Sequence, residues 1–499
     1  MTALRRLLPP LLVLPAMLLV PAVAFAHAEG TISYEFPLPI WMYAMGGAVA
    51  VLVSVPVAMV ARPGRDRLSR NFYRPIGRLH LGAIGTVLAT LVLIDVILGG
   101  LFGSAEFISN PATIVIWVDF WVGLGVVSAL IANVWDFTSP LSALVRRVDG
   151  GLADRGAAAT AYPDRLGMWP AVGMLIVWAW LELCWPKGVE PRVIAIFILG
   201  YLAVQVLLSA LFTAEVWLPR GELFTAFART LARMAPLELY VTEPAGPCLA
   251  RSCSDDDERR GCPACWQAAD REHRGLRLRL PGAGIHREAP LPRGGAAFVV
   301  ALLATVVFDG FSNTDRYGQL ANWLYDNGPV WLRAHDSTQK TILMVAIAGG
   351  FALVYYLIAW LIGRLERSSA SVAATRYAPS LIPIAAVYFI AHYLTYLVIY
   401  SQFTPGDLAD PFEREWVPDY DVWTHLPSTL VWWLQVGLIV AGHIVAVFQA
   451  HRIALAHERP PRRVPTRSAA LRHAPLTALM IAYTAIGLWV LAQGIKASA

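Results

Sequence analysis

The chain predicts an all-α, polytopic transmembrane helix bundle, and three observations point to that class. Of its 499 residues, 57% are hydrophobic and only 15% charged, and the mean hydropathy is +0.54. Apolar runs about 20 residues long recur along the whole chain, the length a helix needs to cross a bilayer. Lys and Arg gather in alternate connections between those runs, as the positive-inside pattern requires. Composition therefore excludes a large soluble core. The formal net charge of +5 says little apart from where the charges fall, and no nucleic-acid partner is expected. Five cysteines in a chain of this size do not make a disulfide scaffold.

Residues 1–26 follow the plan of a secretory signal peptide: Arg5 and Arg6, an apolar run from Leu7, then Ala24-Phe25-Ala26 as a small-x-small cleavage site. Pro9, Pro10, Pro15 and Pro21 make that run a poor permanent helix, which favours cleavage over an uncleaved first span. Cutting after Ala26 leaves His27 at the mature N-terminus, where its amine and imidazole can address one metal ion. The plainer alternative is a solvated, fraying end.

Ten spans follow, at about 38–61, 80–102, 112–134, 167–186, 192–218, 296–312, 339–363, 379–403, 427–450 and 475–495. A cleaved leader places the mature N-terminus outside, so the connections alternate from there. The inner ones then hold about 31 of the 40 Lys and Arg and the outer ones about seven, the last two lying in the leader. This gives a signal peptide, a five-span region over 27–218, a cytoplasmic segment over 219–295 and a second five-span region over 296–499. The expected location is a bacterial inner membrane, with both mature ends periplasmic. Backbone polar groups cannot stay unpaired in lipid, so the spans pack as helices.

In the 219–295 segment, "GELFTAFARTLARMAPLELYV" places Leu223, Phe224, Phe227, Leu231 and Met234 at helical spacing with Arg229 and Arg233 interleaved. It reads as an interfacial helix, or as an ordinary helix packed on the bundle. Next come Cys248, Cys253, Cys262 and Cys265, spaced C-x4-C-x8-C-x2-C. Four thiolates in a short loop on the reducing side suit a structural tetrahedral zinc, with a loop of plain thiols as the alternative. Cys184, alone in a span, reads as a buried small apolar residue.

Ionisable residues inside spans are expensive and need a reason. Asp95, Asp119, Glu182, Asp309 and His392 are such residues. At about 1.5 Å rise per residue, the acids lie roughly 5–10 Å below the outer surface and His392 roughly 16 Å below it. One reading is a polar cavity open to the outside, with Asp309 and His392 at its centre and Asp95 and Asp119 as ligands or supports. Such a donor set suits zinc, manganese or iron, and a metal there would activate a water. His27 tethered at the same face would add nitrogen donors, which suits copper. The other reading has each acid simply hydrogen-bonded to a neighbouring helix. A second polar group, including His443 and His451, lies toward the inner side.

Several stretches resemble bacterial membrane proteins of the fenitrothion hydrolase family: "HAEGTISYEFPLPIWMYA", "ARMAPL", "VVFDGFSNT", "RYAPSLIPIAAVYFIAHYLTYLVIYSQ" and "QVGLIVAGHIVAVFQAHRIAL". The resemblance runs in patches over most of the bundle and implies hydrolysis of an apolar organophosphate triester. It carries over Asp309, His392, Gln402, His443 and His451. The cysteine loop departs from the pattern as an insertion, and Arg452-Ile453 stands where the family pattern has an acid-bearing pair. Two alternatives of other classes accompany the hydrolase. One is a transporter or accessory factor for metals or small solutes, weakened by the lack of an inverted repeat. The other is a copper-dependent redox enzyme using His27. A second membrane subunit is compatible with all three.

Overall fold

The computed structural model describes residues 39–60, 73–75, 81–153, 160–244, 260–288, 291–333, 336–418, 421–422, 426–456 and 466–497. Among these, nine helices are long and apolar enough to cross a membrane, and the chain is a multi-pass integral membrane protein. The spans are α1 (Ile40–Val60), α2 (Leu81–Phe102), α3 (Pro111–Leu130), α5 (Pro191–Phe212), α7 (Gly295–Ser312), α8 (Asp336–Glu366), α9 (Ala370–Tyr400), α10 (Ser428–Ala456) and α11 (Thr466–Ala497). The tenth expected span, 167–186, is instead the fifteen-residue α4 (Trp169–Leu183). Pro186 sets up a short 3-10 turn, Pro186–Val189, that folds back on the end of α4. Only glycine fits there, because a Cβ on Gly188 would sit 1.7 Å from the Leu181 carbonyl oxygen.

Burial sorts the spans into layers. In α7, 83% of the apolar window is buried inside the protein, whereas in α2 and α8 only 17% is. The rim helices present Ile84, Val87, Leu88 and Leu91 on α2, and Val345, Leu353 and Leu357 on α8, as exposed apolar surface suited to lipid. The packed interior runs along α7, α9 and α3, with Phe298, Phe308, Ile382 and Phe389 fully enclosed. Polar side chains on these three helices therefore face protein, where partners are available.

Chain direction reverses at each span, so the connections fall at two ends. One end, here the acid end, carries 103–110, 184–190, 313–335 and 401–427. The other, the sheet end, carries a three-stranded antiparallel sheet that the apolar runs do not announce. β1 (Tyr73–Pro75) and β2 (Leu237–Val241) flank β3 (Arg274–Leu278), with Tyr73 opposite Arg277 and Leu239 opposite Leu276. Leu239, Val241, Trp266 and Ala269 form a small core beneath it. Glu238 takes an ion pair from Arg279 at 2.7 Å and another from Arg277.

The amphipathic stretch forms α6 (Leu223–Leu231), but not as an interfacial helix. It is buried on nearly every side, with Phe227 stacked on Trp121 at 4.5 Å between ring centroids and Phe224 against Phe120 at 4.6 Å. Its charged member is absorbed by a partner rather than by solvent: Arg229 Nε donates to Asp136 Oδ2 at 2.9 Å. Its N-terminus is capped by Glu222, whose carboxylate accepts from the Phe224 and Thr225 amides and from Tyr201 Oη. Aromatic side chains at helical spacing thus mark a core plug rather than a membrane-surface helix.

Candidate functional site

The most connected polar cluster in the membrane region lies between α7 and α9, the helices of the buried interior. Asp309 sits one turn from the end of α7 and is only 9% exposed. The helix end is satisfied locally: Ser312 Oγ and Asn313 Nδ2 donate to the Asp309 carbonyl at 2.8 and 3.1 Å. This leaves the carboxylate to look across to α9. There His392 Nε2 lies 2.9 Å from Asp309 Oδ2, and Tyr393 Oη donates to the same oxygen at 2.7 Å. Asn313 Nδ2 approaches Oδ1 at 3.4 Å.

A carboxylate accepts only, so the Nε2 position of His392 carries the hydrogen. The neutral ring then bears its lone pair on Nδ1. That atom makes no hydrogen bond among the described residues, and the side chain keeps 15% of its surface exposed. Asp309 also stabilises an imidazolium if the ring takes up a proton. The arrangement is a base with its tautomer fixed.

Three further groups border it. Glu182, at the end of α4, lies close enough to Asp309 for the two carboxylates to interact. The ring of Tyr388 is parallel to that of His392, with centroids 6.3 Å apart. Tyr388 Oη is buried and has no hydrogen-bond partner among the described residues. Both rings close on Gly310, where a Cβ would lie 3.2 Å from Tyr388 Oη and 3.5 Å from His392 Cε1. Tyr393 and Tyr388 carry no charge and stand in an apolar run, so nothing in composition singles them out. Their spacing from His392, at i+1 and i−4, was the available signal.

The other candidates go elsewhere. Asp119 lies in a π-helical stretch, Ile114–Val122, and accepts from Thr404 Oγ1. Asp407 lies one turn on from Thr404 in the short helix Thr404–Ala409. Burial, with the negative charges of Asp119 and Glu413, pushes the Asp407 carboxyl up to about 7. Asp95 on α2 makes no hydrogen bond among the described residues, and its Oδ2 is buried. Neither Asp95 nor Asp119 hydrogen-bonds to the Asp309–His392 cluster among the described residues. The physical reason is their helices: α2 is a rim helix, and Asp119 is held by the 401–427 connection.

His443 and His451 are buried on α10, and neither bonds to the Asp309 cluster. His443 Nδ1 contacts the Ile439 carbonyl at 2.8 Å, leaving Nε2 without a partner. His451 Nδ1 pairs with His473 Nε2 at 3.1 Å, and His473 Nδ1 with Thr477 Oγ1 at 3.0 Å. His473 becomes a partner because α11 begins at Thr466, nine residues before the expected span edge. Gln402 Nε2 donates to the Val398 carbonyl at 2.9 Å. Cys262, at the N-cap of the helix Pro263–Ala268, and Cys265, within it, are both buried. His27, Cys248 and Cys253 lie outside the described residues.

Among the described residues, no three His, Cys, Asp or Glu side chains converge to hold a metal ion. At the Asp309 site the carboxylate–imidazole bond leaves Nδ1 of His392 as one nitrogen donor, the way a carboxylate orients a ligating histidine, and no second and third His, Cys, Asp or Glu converge on it among the described residues. No family model, curated protein or solved structure matches the chain.

Proposed function

We propose that this integral membrane protein hydrolyses a neutral, apolar ester of the phosphotriester class, with His392 as general base and Asp309 as the group that orients it. The observation that carries the reading is the Asp309–His392 hydrogen bond in the buried interior, with Nδ1 of the same ring left free. The resemblance to fenitrothion hydrolases supports the substrate class, and the aromatic surroundings suit an uncharged ligand arriving from lipid.

In this mechanism His392 Nδ1 takes a proton from a water as its oxygen bonds to phosphorus, and the bond from phosphorus to the leaving oxygen breaks. Asp309 stabilises the resulting imidazolium. Tyr388 Oη, a buried hydroxyl with its hydrogen unspent, is the donor for charge developing on the phosphoryl oxygen. The metal expected from the sequence would need ligands from outside the described residues, such as His27, so no step is routed through one. The Lys and Arg distribution supports an inner-membrane orientation with the acid end periplasmic.

The test is nitrophenolate release from a neutral dialkyl nitrophenyl phosphate by purified protein in lipid nanodiscs. Wild type is expected to turn over, His392→Ala to fall to the uncatalysed rate, and His443→Ala, a buried histidine outside the cluster, to stay within a few-fold of wild type. Equal rates for His392→Ala and wild type would overturn the proposal, as would a wild type that never exceeds background.

A further inference from the structure

At the same end of the bundle, but on α3 and the 401–427 connection, a second polar arrangement plays no part in the reaction above. Asp119 projects from the π-helical stretch of α3, where the wider turn re-aims side chains. Thr404 Oγ1 binds its carboxylate. Asp407, three residues further on, lies on the same side of the short helix Thr404–Ala409. Its residue surface is only 8% exposed, and its Oδ2 is fully enclosed with no hydrogen-bond partner among the described residues. Because Thr404 bonds Asp119 and Asp407 lies one turn along the same short helix, the two negative charges repel, with a smaller contribution from Glu413.

No Lys, Arg or His side chain pairs with Asp119 or Asp407 among the described residues. Three other buried acids are matched by a cation, Asp136 by Arg229, Glu238 by Arg279 and Glu366 by Arg376, and buried Glu222 by two backbone amides and Tyr201 Oη. A buried carboxylate oxygen with no donor and a like charge opposite is costly unless something positive enters. Every donor atom here is oxygen: two carboxylates and a threonine hydroxyl. Oxygen-only sets with adaptable geometry suit a hard cation and disfavour zinc or copper.

We propose that Asp119, Thr404 and Asp407 form a binding site for a hard divalent cation of the calcium type, which ties α3 to the 401–427 connection. The site is separate from the Asp309–His392 cluster and stands whether or not that cluster is catalytic. The cation replaces repulsion with attraction across the two segments. Its binding therefore registers as stabilisation of the whole chain.

The experiment measures retention of radioactive calcium and the shift in Tm on adding calcium chloride to purified, chelator-treated full-length protein. Wild type is expected to retain about one ion per chain at this site and to gain several degrees in Tm. Asp407→Asn and Asp119→Asn should each abolish both signals. Thr404→Val, which changes no charge, should weaken binding at least tenfold and covers the case in which an acid variant fails to fold. His392→Ala should bind as wild type does. Calcium binding unchanged in Asp407→Asn and Thr404→Val, or no response in wild type, would overturn the proposal.

Discussion

Asp309→Asn is expected to lower kcat/KM for the phosphotriester by about 10³–10⁴-fold while leaving the fold in place. Asparagine has nearly the same shape, so α7 and α9 keep their packing, and Tyr393 Oη can accept where it now donates. The amide can instead turn its NH₂ toward His392 Nε2, now 2.9 Å from Oδ2. That forces the hydrogen onto Nδ1 and removes the lone pair from the position where water must be deprotonated. The charge that stabilises an imidazolium is lost with it. Initial rates of nitrophenolate release, with Tm recorded in parallel, check this. A loss of less than tenfold would mean that Asp309 holds the helix end and nothing more.

The second large effect is on stability. Asp136→Ala should destabilise the protein by about 3–5 kcal/mol, because it strands the guanidinium of Arg229 in the interior. Both carboxylate oxygens of Asp136 receive Arg229 Nε, at 3.0 and 2.9 Å, and Asn133 Nδ2 adds a bond to Oδ2 at 2.6 Å. The side chains are 4% and 19% exposed, so water cannot replace the lost partner. Arg229 stands on α6, whose aromatic face plugs the bundle, so the loss also loosens Trp121 and Phe389. Removing both charges with Asp136→Ala and Arg229→Leu should recover much of the loss. Equilibrium unfolding of single and double variants measures it, and a single variant within 1 kcal/mol of wild type would contradict the account.

The fold was legible where hydrophobicity alone decides structure. Runs of about 20 apolar residues mark where helices cross, and nine of the ten expected spans are long enough to do so. The exception, α4, is cut short by Trp185-Pro186 and the Gly188 turn, a local steric matter that a hydropathy window does not see. The strands were hidden for a different reason: "LELYV" and "RGLRL" are five residues each, and their charges are satisfied by cross-strand Glu238–Arg277 pairing rather than by water. For α6, spacing located the buried face but not its depth, because depth depends on partners such as Asp136, 93 residues away in the chain.

The site was legible in part for the same reason. Asp309 and His392 stood out because a charge in a span demands a partner, and each turned out to supply the other's. Depth along a helix says nothing of which way the helix faces: Asp119 accepts from Thr404, and Asp95 has no hydrogen-bond partner among the described residues. Tyr388 and Tyr393 escaped notice because a tyrosine in an apolar run reads as packing, and only the three-dimensional contact shows which hydroxyl is bonded and which is not.

The central claim is that His392 presents a free and reachable Nδ1 while the other interior histidines are closed off. Diethyl pyrocarbonate tests it directly, since it acylates an unprotonated, accessible imidazole nitrogen and the adduct is located by peptide mass spectrometry. Among the interior histidines His392 should be modified first, in step with loss of nitrophenolate release. His443, His451 and His473, each at most 2% exposed, should stay unmodified over the same interval. An unmodified His392 in inactivated protein, or full activity after its complete modification, would contradict the account.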